Sequence, residues 1–440
     1  MTRSFFPFRR FPKCAMSKLN TPSSLLLARV IAAGSAIVTS PIIAQAVGAE
    51  GRGLVAAALT VLAIVPIALA LGLPWAVRRR CAVNSDDQLA VLRTANLFSL
   101  GLLFPAILVG YILCATILSD LSLESKLVLM AGLALTPLVV SRNCQYSYLV
   151  VRSRFHALFL STVSQPIFIL LSVILSFSIG KLTVTVAIFC SAFSVVLSYL
   201  TTVFLVRLPL WGPVVPLGSL ARESLASAGA QIAEIASYRL NQLILLPVIG
   251  AASLGNYAVG INLAMAPAPV GQAMGSATFF TTANAGPEST HDIVKRTLRA
   301  AVSLASLVAA FIAVACPLVI PLAFGQQFQP AIHATQILCL GSVFVIANYT
   351  ITSNLIALGC SARASAAQYT GFLVGLITVL SLGFYYGLYG AAVGSVVGFL
   401  ATSVVGSVLV KAPASAWMPT VSGAKDGILI LQGKLYGRRG

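Results

Sequence analysis

The sequence predicts an all-α integral membrane protein of about twelve transmembrane helices, in two six-helix lobes, with both termini in the cytoplasm. Three observations predict it: scarce charge, apolar runs matching the thickness of a bilayer, and basic residues confined to alternate loops. Of 440 residues, 58% are hydrophobic and 9% charged, and the mean hydropathy is +0.96. A soluble domain carries about 25% charged residues, because water has to cover its surface. A chain this poor in charge presents its surface to lipid instead. The net charge of +18 comes from 28 Lys and Arg against 10 Asp and Glu, which in a soluble protein would suggest nucleic acid. Here the basic residues stand between apolar runs, so orientation in a membrane accounts for them and nucleic acid is not an expected partner.

In hydrocarbon each backbone N–H and C=O must be paired within the chain, so apolar runs of roughly 20 residues are helices that cross. They lie near 24–46, 54–77, 94–118, 127–149, 156–179, 183–206, 225–249, 256–280, 299–323, 332–357, 365–386 and 389–410. The first run ends on Ala44-Gln45-Ala46, which resembles a signal-peptide cleavage site. It is longer than the 7–15 residues of a signal-peptide core and follows an extended basic tail, so it is expected to stay as the first span.

Orientation follows from the cations. Arg3, Arg9, Arg10, Lys13, Lys18, Arg78, Arg79, Arg80 and Arg93 fall on one side. So do Arg152, Arg154, Arg207, Arg222, Lys295, Arg296, Arg299, Arg363, Lys411, Lys425, Lys434, Arg438 and Arg439. Only Arg52, Lys126 and Lys181 are expected outside, the asymmetry of a protein with its basic loops in the cytoplasm. The chain thus divides into a basic tail (1–23), a first lobe (24–206), a connector (207–224), a second lobe (225–410) and a C-terminal tail (411–440). Three prolines between Pro209 and Pro216 mark the connector, since proline cannot continue a helix. Phe5, Phe6, Phe8 and Phe11 among the basic residues of the first tail suit either an anionic lipid surface or a disordered extension.

A faint repeat relates the lobes. Val47-Gly48-Ala49-Glu50-Gly51-Arg52-Gly53 resembles Ile249-Gly250-Ala251-Ala252-Ser253-Leu254-Gly255, aligned with one residue inserted. Both are external turns between the first two helices of a half, as in parallel repeats that enclose a central cavity.

The seventh span carries the densest polar pattern. Ser227, Gln231, Glu234, Tyr238, Asn241 and Gln242 recur at spacings of three and four, with Arg239 at the edge of their arc. Ile232, Ala236, Leu240 and Leu243 oppose them. A charged group facing lipid costs on the order of 2.5–3.5 kcal/mol, so the stripe faces a cavity or a packed neighbour. Glu234 is the one carboxylate deep in a span, either an ion-coupling site or the partner of Arg29, Arg142 or Arg239. Arg29 and Arg142 are candidate cavity residues that could instead snorkel to the nearer interface. Asn262 and Gln272, with Asn256, flank Pro267 and Pro269, which must distort span eight. Asn348, Thr350, Thr352 and Asn354 are expected to interrupt span ten. Amides without carboxylates suit sugar hydroxyls, and they also serve helix packing.

No enzyme, metal or cofactor chemistry is expected. His156, His291 and His333 are far apart in sequence, and no nucleotide-phosphate loop is present. Cys14, Cys81, Cys114, Cys144, Cys190, Cys316, Cys339 and Cys360 form no C-x-x-C pair and read as small hydrophobes.

Several motifs, in order, carry a resemblance. They are the turn Val47–Gly53, close to L-G-P-E-G-x-G, Leu71-Gly72-Leu73-Pro74 before basic residues, and Arg239-Leu240-Asn241-Gln242-Leu243. Then come Leu254-Gly255-Asn256-Tyr257-Ala258, Phe324-Gly325-Gln326-Gln327-Phe328 and Leu388-Tyr389-Gly390-Ala391-Ala392. Over roughly residues 20–410 the chain resembles the oligosaccharide-flippase (polysaccharide transporter) branch of the multidrug/oligosaccharidyl-lipid/polysaccharide exporter (MOP) superfamily. The resemblance implies a V-shaped pair of lobes in a bacterial cytoplasmic membrane, rocking between inward- and outward-open states. It implies a polyprenyl-diphosphate-linked oligosaccharide as cargo, with membrane lipids and a glycan polymerase or other polysaccharide-assembly proteins as partners. Where many members have Arg-x-Asp in the seventh span this chain has Arg239 and Asn241, and the first span lacks the carboxylate of the cation antiporters. Physics suits that cargo: sugars and diphosphate cannot cross hydrocarbon unaided, and arginine grips phosphate with a fork. A cation-coupled drug exporter of the same superfamily is the second reading. A membrane-embedded glycan polymerase, ligase or acyltransferase is the third, though the loops are too short for a catalytic domain.

Overall fold

The structure is a computed structural model that describes residues 23–83, 87–207, 212–235, 241–283 and 287–432. Within these, the side chains of 23, 26, 226–227, 229–235, 241–242, 280, 283 and 287–289 lie outside the description.

Every described regular element is helical. The first half contributes α1 (Ser23–Leu69), α2 (Leu73–Val83), α3 (Gln88–Leu100), α4 (Leu103–Ala115), α5 (Leu123–Ala134), α6 (Thr136–Val151), α7 (Phe155–Ser178) and α8 (Val184–Val206). The second contributes α9 (Leu217–Ile235), α10 (Asn241–Ala264), α11 (Ala268–Ala283), α12 (Pro287–Phe324), α13 (Pro330–Ala357), α14 (Ser361–Val410) and α15 (Val421–Leu431). Among the described residues eight helical stretches are long and apolar enough to cross a membrane, or nine if the bent pair α5–α6 counts as one span. The outer surface matches: Phe104, Phe204, Phe311 and Leu322 are 79, 77, 72 and 79% exposed. Aromatic and aliphatic surface of that extent belongs in lipid, and the chain is a multi-pass membrane protein.

Two helices are too long to be single spans. An unbroken α1 of 47 residues would reach about 70 Å, more than twice the hydrocarbon thickness. It is two arms joined at Gly48 (φ 72°, ψ −177°), and α14 divides similarly at Gly387. α10 breaks at Gly250 (φ 77°, ψ 166°), which matches the conformation of Gly48 closely. This corner of backbone space is open essentially to glycine alone.

The repeat seen in the sequence is real in three dimensions, with one correction. Gly48 aligns with Gly250, Ala49 with Ala251 and Gly53 with Gly255, so no residue is inserted. The two turns also meet. A Cβ on Gly53 would overlap the carbonyl oxygen of Ala251, and one on Gly255 would overlap that of Ala49. The contacts are reciprocal, as a local two-fold relation between the two turns requires.

Other expectations shift for local reasons. The second span ends at Leu69, short of the expected 77, because Leu71 and Gly72 take positive φ and Pro74 opens a separate helix. The fourth is bent by 40° where α5 gives way to α6, with Pro137 in the first turn of α6. Span eight breaks between Ala264 and Ala268 as its prolines demand. Span ten does not break: α13 runs continuously through Asn348, Thr350, Thr352 and Asn354. The C-terminal segment is no bare tail, since α15 packs on α12. Gly423 and Gly427 face Ser303 and Ala300 there, and the Thr420 N–H donates to Ser303 Oγ at 3.0 Å. The connector is fixed to the first half: Arg93 Nη1 donates to the Pro213 carbonyl (3.1 Å), and the Val215 N–H donates to Thr94 Oγ1 (2.9 Å). α9 is pinned there too. Arg80 grips Glu223 with a two-pronged ion pair at 2.9–3.1 Å, and Ser224 Oγ donates to the Leu71 carbonyl (2.8 Å).

Candidate functional site at the seam between halves

The seam runs between α1 of the first half and α10–α11 of the second. Its two ends differ in chemistry. At the turn end the backbones touch, and a cation lies beneath them. Arg52, expected outside on an exposed turn, is buried (5% exposed). It lies one helical turn past Gly48 and faces back along α1, so its Nη2 reaches Ser40 Oγ at 3.1 Å. From the other half, Asn262 Nδ2 approaches the same hydroxyl at 3.5 Å. The Arg52 Nε is buried with no hydrogen-bond partner. Gln45 Nε2 closes this end further by donating to the Ala323 carbonyl at 2.6 Å.

At the opposite, basic end a polar bridge replaces backbone contact. Arg29 Nη1 donates to Gln272 Oε1 at 2.6 Å, joining α1 to α11 across the seam. Sequence reasoning proposed both residues, and the structure brings them together. Nineteen residues of helix separate Arg29 from Gly48, about 28 Å along the seam. Between the two ends Gly34 faces open space, and Ser35 and Thr39 spend their hydroxyls on their own helix.

Other candidates fall inside single halves. Arg142 does not snorkel: it is 7% exposed, and its Nη1 donates to Gln165 Oε1 (2.6 Å) and Ser198 Oγ (3.1 Å). Its guanidinium lies 5.6 Å from the Tyr146 ring, and its Nε is unpartnered. Asn354 ties α13 to its neighbours, accepting from Thr282 (2.9 Å) and donating to Thr297 (3.4 Å). Asn348 Oδ1 is buried without a partner, beside a cavity of about 10 Å³ lined also by Ser395 and Thr402. That is room for about one water molecule. Gln231 and Glu234 lie on α9, and Asn241 and Gln242 open α10, but their side chains lie outside the described residues. Tyr238 and Arg239 lie wholly outside them.

Arginines outnumber acids along the described seam, where the exposed Glu50 of the turn is the acid. Among the described residues the ion pairs are Arg80–Glu223 and Arg296–Asp426, both at the basic end. Arg29, Arg52 and Arg142 meet no carboxylate there. No group of three or more His, Cys, Asp or Glu among the described residues could hold a metal, and the seven described cysteines are free thiols.

The sequence profile of the family described as polysaccharide biosynthesis protein matches residues 20–280, more than half of the chain. The chain belongs to this family. The matched region contains the whole first half, both glycine turns, Arg29, Arg52 and Gln272. No curated protein matches the chain in sequence. Solved structures match in fold. A lipid II flippase MurJ in an inward closed conformation superimposes with a TM-score of 0.71 at 13% identity, covering 94% of this chain and 90% of that one. An inward-facing multidrug resistance MATE family transporter of the MOP superfamily gives 0.65 at 16% identity, covering 90 and 96%. A MOP superfamily transporter from Pyrococcus furiosus, whose binding pocket is described as reversed in polarity, gives 0.58 at 15%, covering 90 and 94%. The family member described here thus has the MOP transporter fold.

Of the seam residues, sequence reading missed Arg52 as a buried group. Nothing in the local pattern marks it, because Val55 on the same face packs inside the first half.

Proposed function

We propose that this protein flips a polyprenyl-diphosphate-linked oligosaccharide from the cytoplasmic to the outer leaflet by alternating access. On this reading the kinks at Gly48, Gly250 and Gly387 part the long helices into twelve spans, six to a lobe. The turn end then faces outward and the basic end the bacterial cytoplasm. The observation that carries the reading is the arginine at each end of the described seam, Arg29 and Arg52, held by hydrogen bonds to Gln272 and Ser40 and by no ion pair. A drug-cation exporter needs acids along this path, whereas a diphosphate needs forked cations. The prenyl chain stays in lipid while the polar head passes, so hydrocarbon never has to dissolve the sugars. Arg239, Glu234, Gln231, Tyr238, Asn241 and Gln242 complete the proposed path, with Glu234 as the candidate for ion coupling. Asn262 and Gln272 line it from the second lobe.

The test is glycan export in cells that depend on this chain. Arg29→Ala and Arg239→Ala are each expected to lower surface glycan at least tenfold while the protein stays inserted and abundant. Undiminished export in both variants sinks the reading. Loss of cation-drug extrusion with intact glycan export points to the exporter instead.

A further inference from the structure

The base of α12 and the C-terminal helix α15 enclose a second polar site that the seam does not use. α15 is docked tightly, with Gly423 and Gly427 removing the side chains that would hold it off α12. Arg299 Nη2 donates to the Ser415 carbonyl (3.0 Å), and Arg296 holds Asp426 in a forked pair at 2.8 and 2.9 Å. Between the two helices lies an open pocket of about 310 Å³ lined by Asp292, Lys295, Arg296, Arg299, Ser422 and Asp426. The forked pair neutralises Arg296 and Asp426. Lys295 and Arg299 remain against Asp292, a net charge of +1. The Nε of Arg299 is buried at this site with no hydrogen-bond partner.

The neighbouring surface says where this pocket sits. On α15, Ile430 is buried while Val421, Ile428 and Leu431 are 78, 46 and 36% exposed. Met418, just before the helix, is 66% exposed. At about 100° per residue the exposed apolar residues form one strip, and Ser422 and Asp426 lie on the flank that lines the pocket. An exposed apolar strip beside a basic pocket, at the foot of a spanning helix, is the pattern of a helix lying in a lipid interface. The far end of α12 meets the turn end of the seam through Ala323, so its base is at the basic end.

We propose that this pocket binds the phosphodiester headgroup of an anionic phospholipid in the leaflet at the basic end, with α15 lying in that interface. Lys295 and Arg299 take the phosphate oxygens, Ser422 exchanges its hydrogen bond to Thr420 Oγ1 (3.2 Å) for one to the phosphate, and the apolar strip of α15 rests among the acyl chains. The pocket's single surplus positive charge matches the single negative charge of a phosphodiester. A zwitterionic lipid brings a cation that Lys295 and Arg299 repel and that Asp292 offsets only in part. The proposal does not depend on the cargo of the seam.

The experiment is native mass spectrometry of the purified full chain after equilibration with equal amounts of phosphatidylglycerol and phosphatidylcholine. The wild type is expected to retain phosphatidylglycerol preferentially. Lys295→Gln with Arg299→Gln should cut that preference by roughly thirtyfold, about fivefold per cation. Asp292→Asn should raise it by about fivefold, a gain that no loss of folding could mimic. Equal retention of the two lipids by the wild type, or no gain on Asp292→Asn, overturns the proposal. Inorganic phosphate in lipid-free detergent that protects α15 from proteolysis as well as phosphatidylglycerol does also overturns it, by assigning the site to free phosphate.

Discussion

The two ends of the seam hold the halves together by opposite means. At the turn end the contact exists because side chains are missing: Gly53 and Gly255 let each backbone touch the other half's carbonyl. At the basic end it exists because a side chain is long: Arg29 reaches over open space to Gln272. The first contact tolerates almost no change of shape, and packing of that kind is made or broken as a unit. The second is a single hydrogen bond at an exposed site, easily traded for water. The seam thus has one stiff latch and one soft one, which on the proposed alternating-access reading open in turn.

The largest effect expected is at the stiff latch. Gly53→Val places branched carbon where the Ala251 carbonyl lies, and should destabilise the assembled halves by about 3 kcal/mol. Thermal unfolding in nanodiscs reads this directly. Gly255→Val should match it, because the contacts are reciprocal, and markedly unequal losses would break the symmetry argued here. Next comes the cation beneath the latch. Arg52→Met keeps the bulk and removes a buried charge whose Nε has no partner, so it should stabilise this end by roughly 2 kcal/mol while lowering export. A cross-linking rate between Ala49→Cys and Ala251→Cys measures the closure. Slower cross-linking in Arg52→Met means that the arginine has a counter-charge and the unpaired account fails.

A smaller effect is expected at the soft latch. Arg29→Ala and Gln272→Ala should each cost about 1 kcal/mol, and the double variant no more than either alone. Full additivity in that cycle would falsify the bridge. The smallest effect lies outside the membrane, at Asp426. The hydrogen bond from the Arg296 side chain holds this carboxylate below its ordinary range, against an opposing effect of burial and with a lesser electrostatic attraction to the same guanidinium. A depressed folded-state value means that stability is present above the ordinary carboxylate range and is lost as pH falls through the depressed value. Hydrogen exchange along α15 should therefore be faster in Asp426→Asn than in wild type at neutral pH. The two should converge in acid, below the carboxylate range, and a gap that persists there removes the ion pair from the account.

The sequence showed the fold most clearly where physics is least local. Hydrocarbon admits only runs of a fixed length, so α7 and α8 were legible within a residue or so at either end. The repeat of Gly48 and Gly250 was visible because a positive φ permits few residues there. What stayed hidden depended on neighbours. Thr352 and its polar companions on α13 looked like an interruption, yet Asn354 is held by Thr282 and Thr297, and Thr352 accepts from Gln368, all distant in sequence. Arg52 looked exposed because a turn usually is, whereas the kink at Gly48 lets it fold back to Ser40 on the same helix. α15 was hidden because its glycines matter only against Ser303 and Ala300. At the site, Arg29 and Gln272 were each legible as polar residues in apolar runs, while their pairing across 243 positions was not.

The pinning of α9 also constrains how the molecule can move. Glu223 and Ser224 fasten the first helix of the second half to the first half at Arg80 and Leu71. If the lobes rock as bodies, that fastening travels with the wrong lobe. Any such displacement is taken up beyond Ser224, and the glycine kink at Gly250 is a described break on that side. The proposed cargo stripe lies in sequence between this pin and this kink, so on the proposed reading cargo binds between the anchor and the hinge of one helix pair.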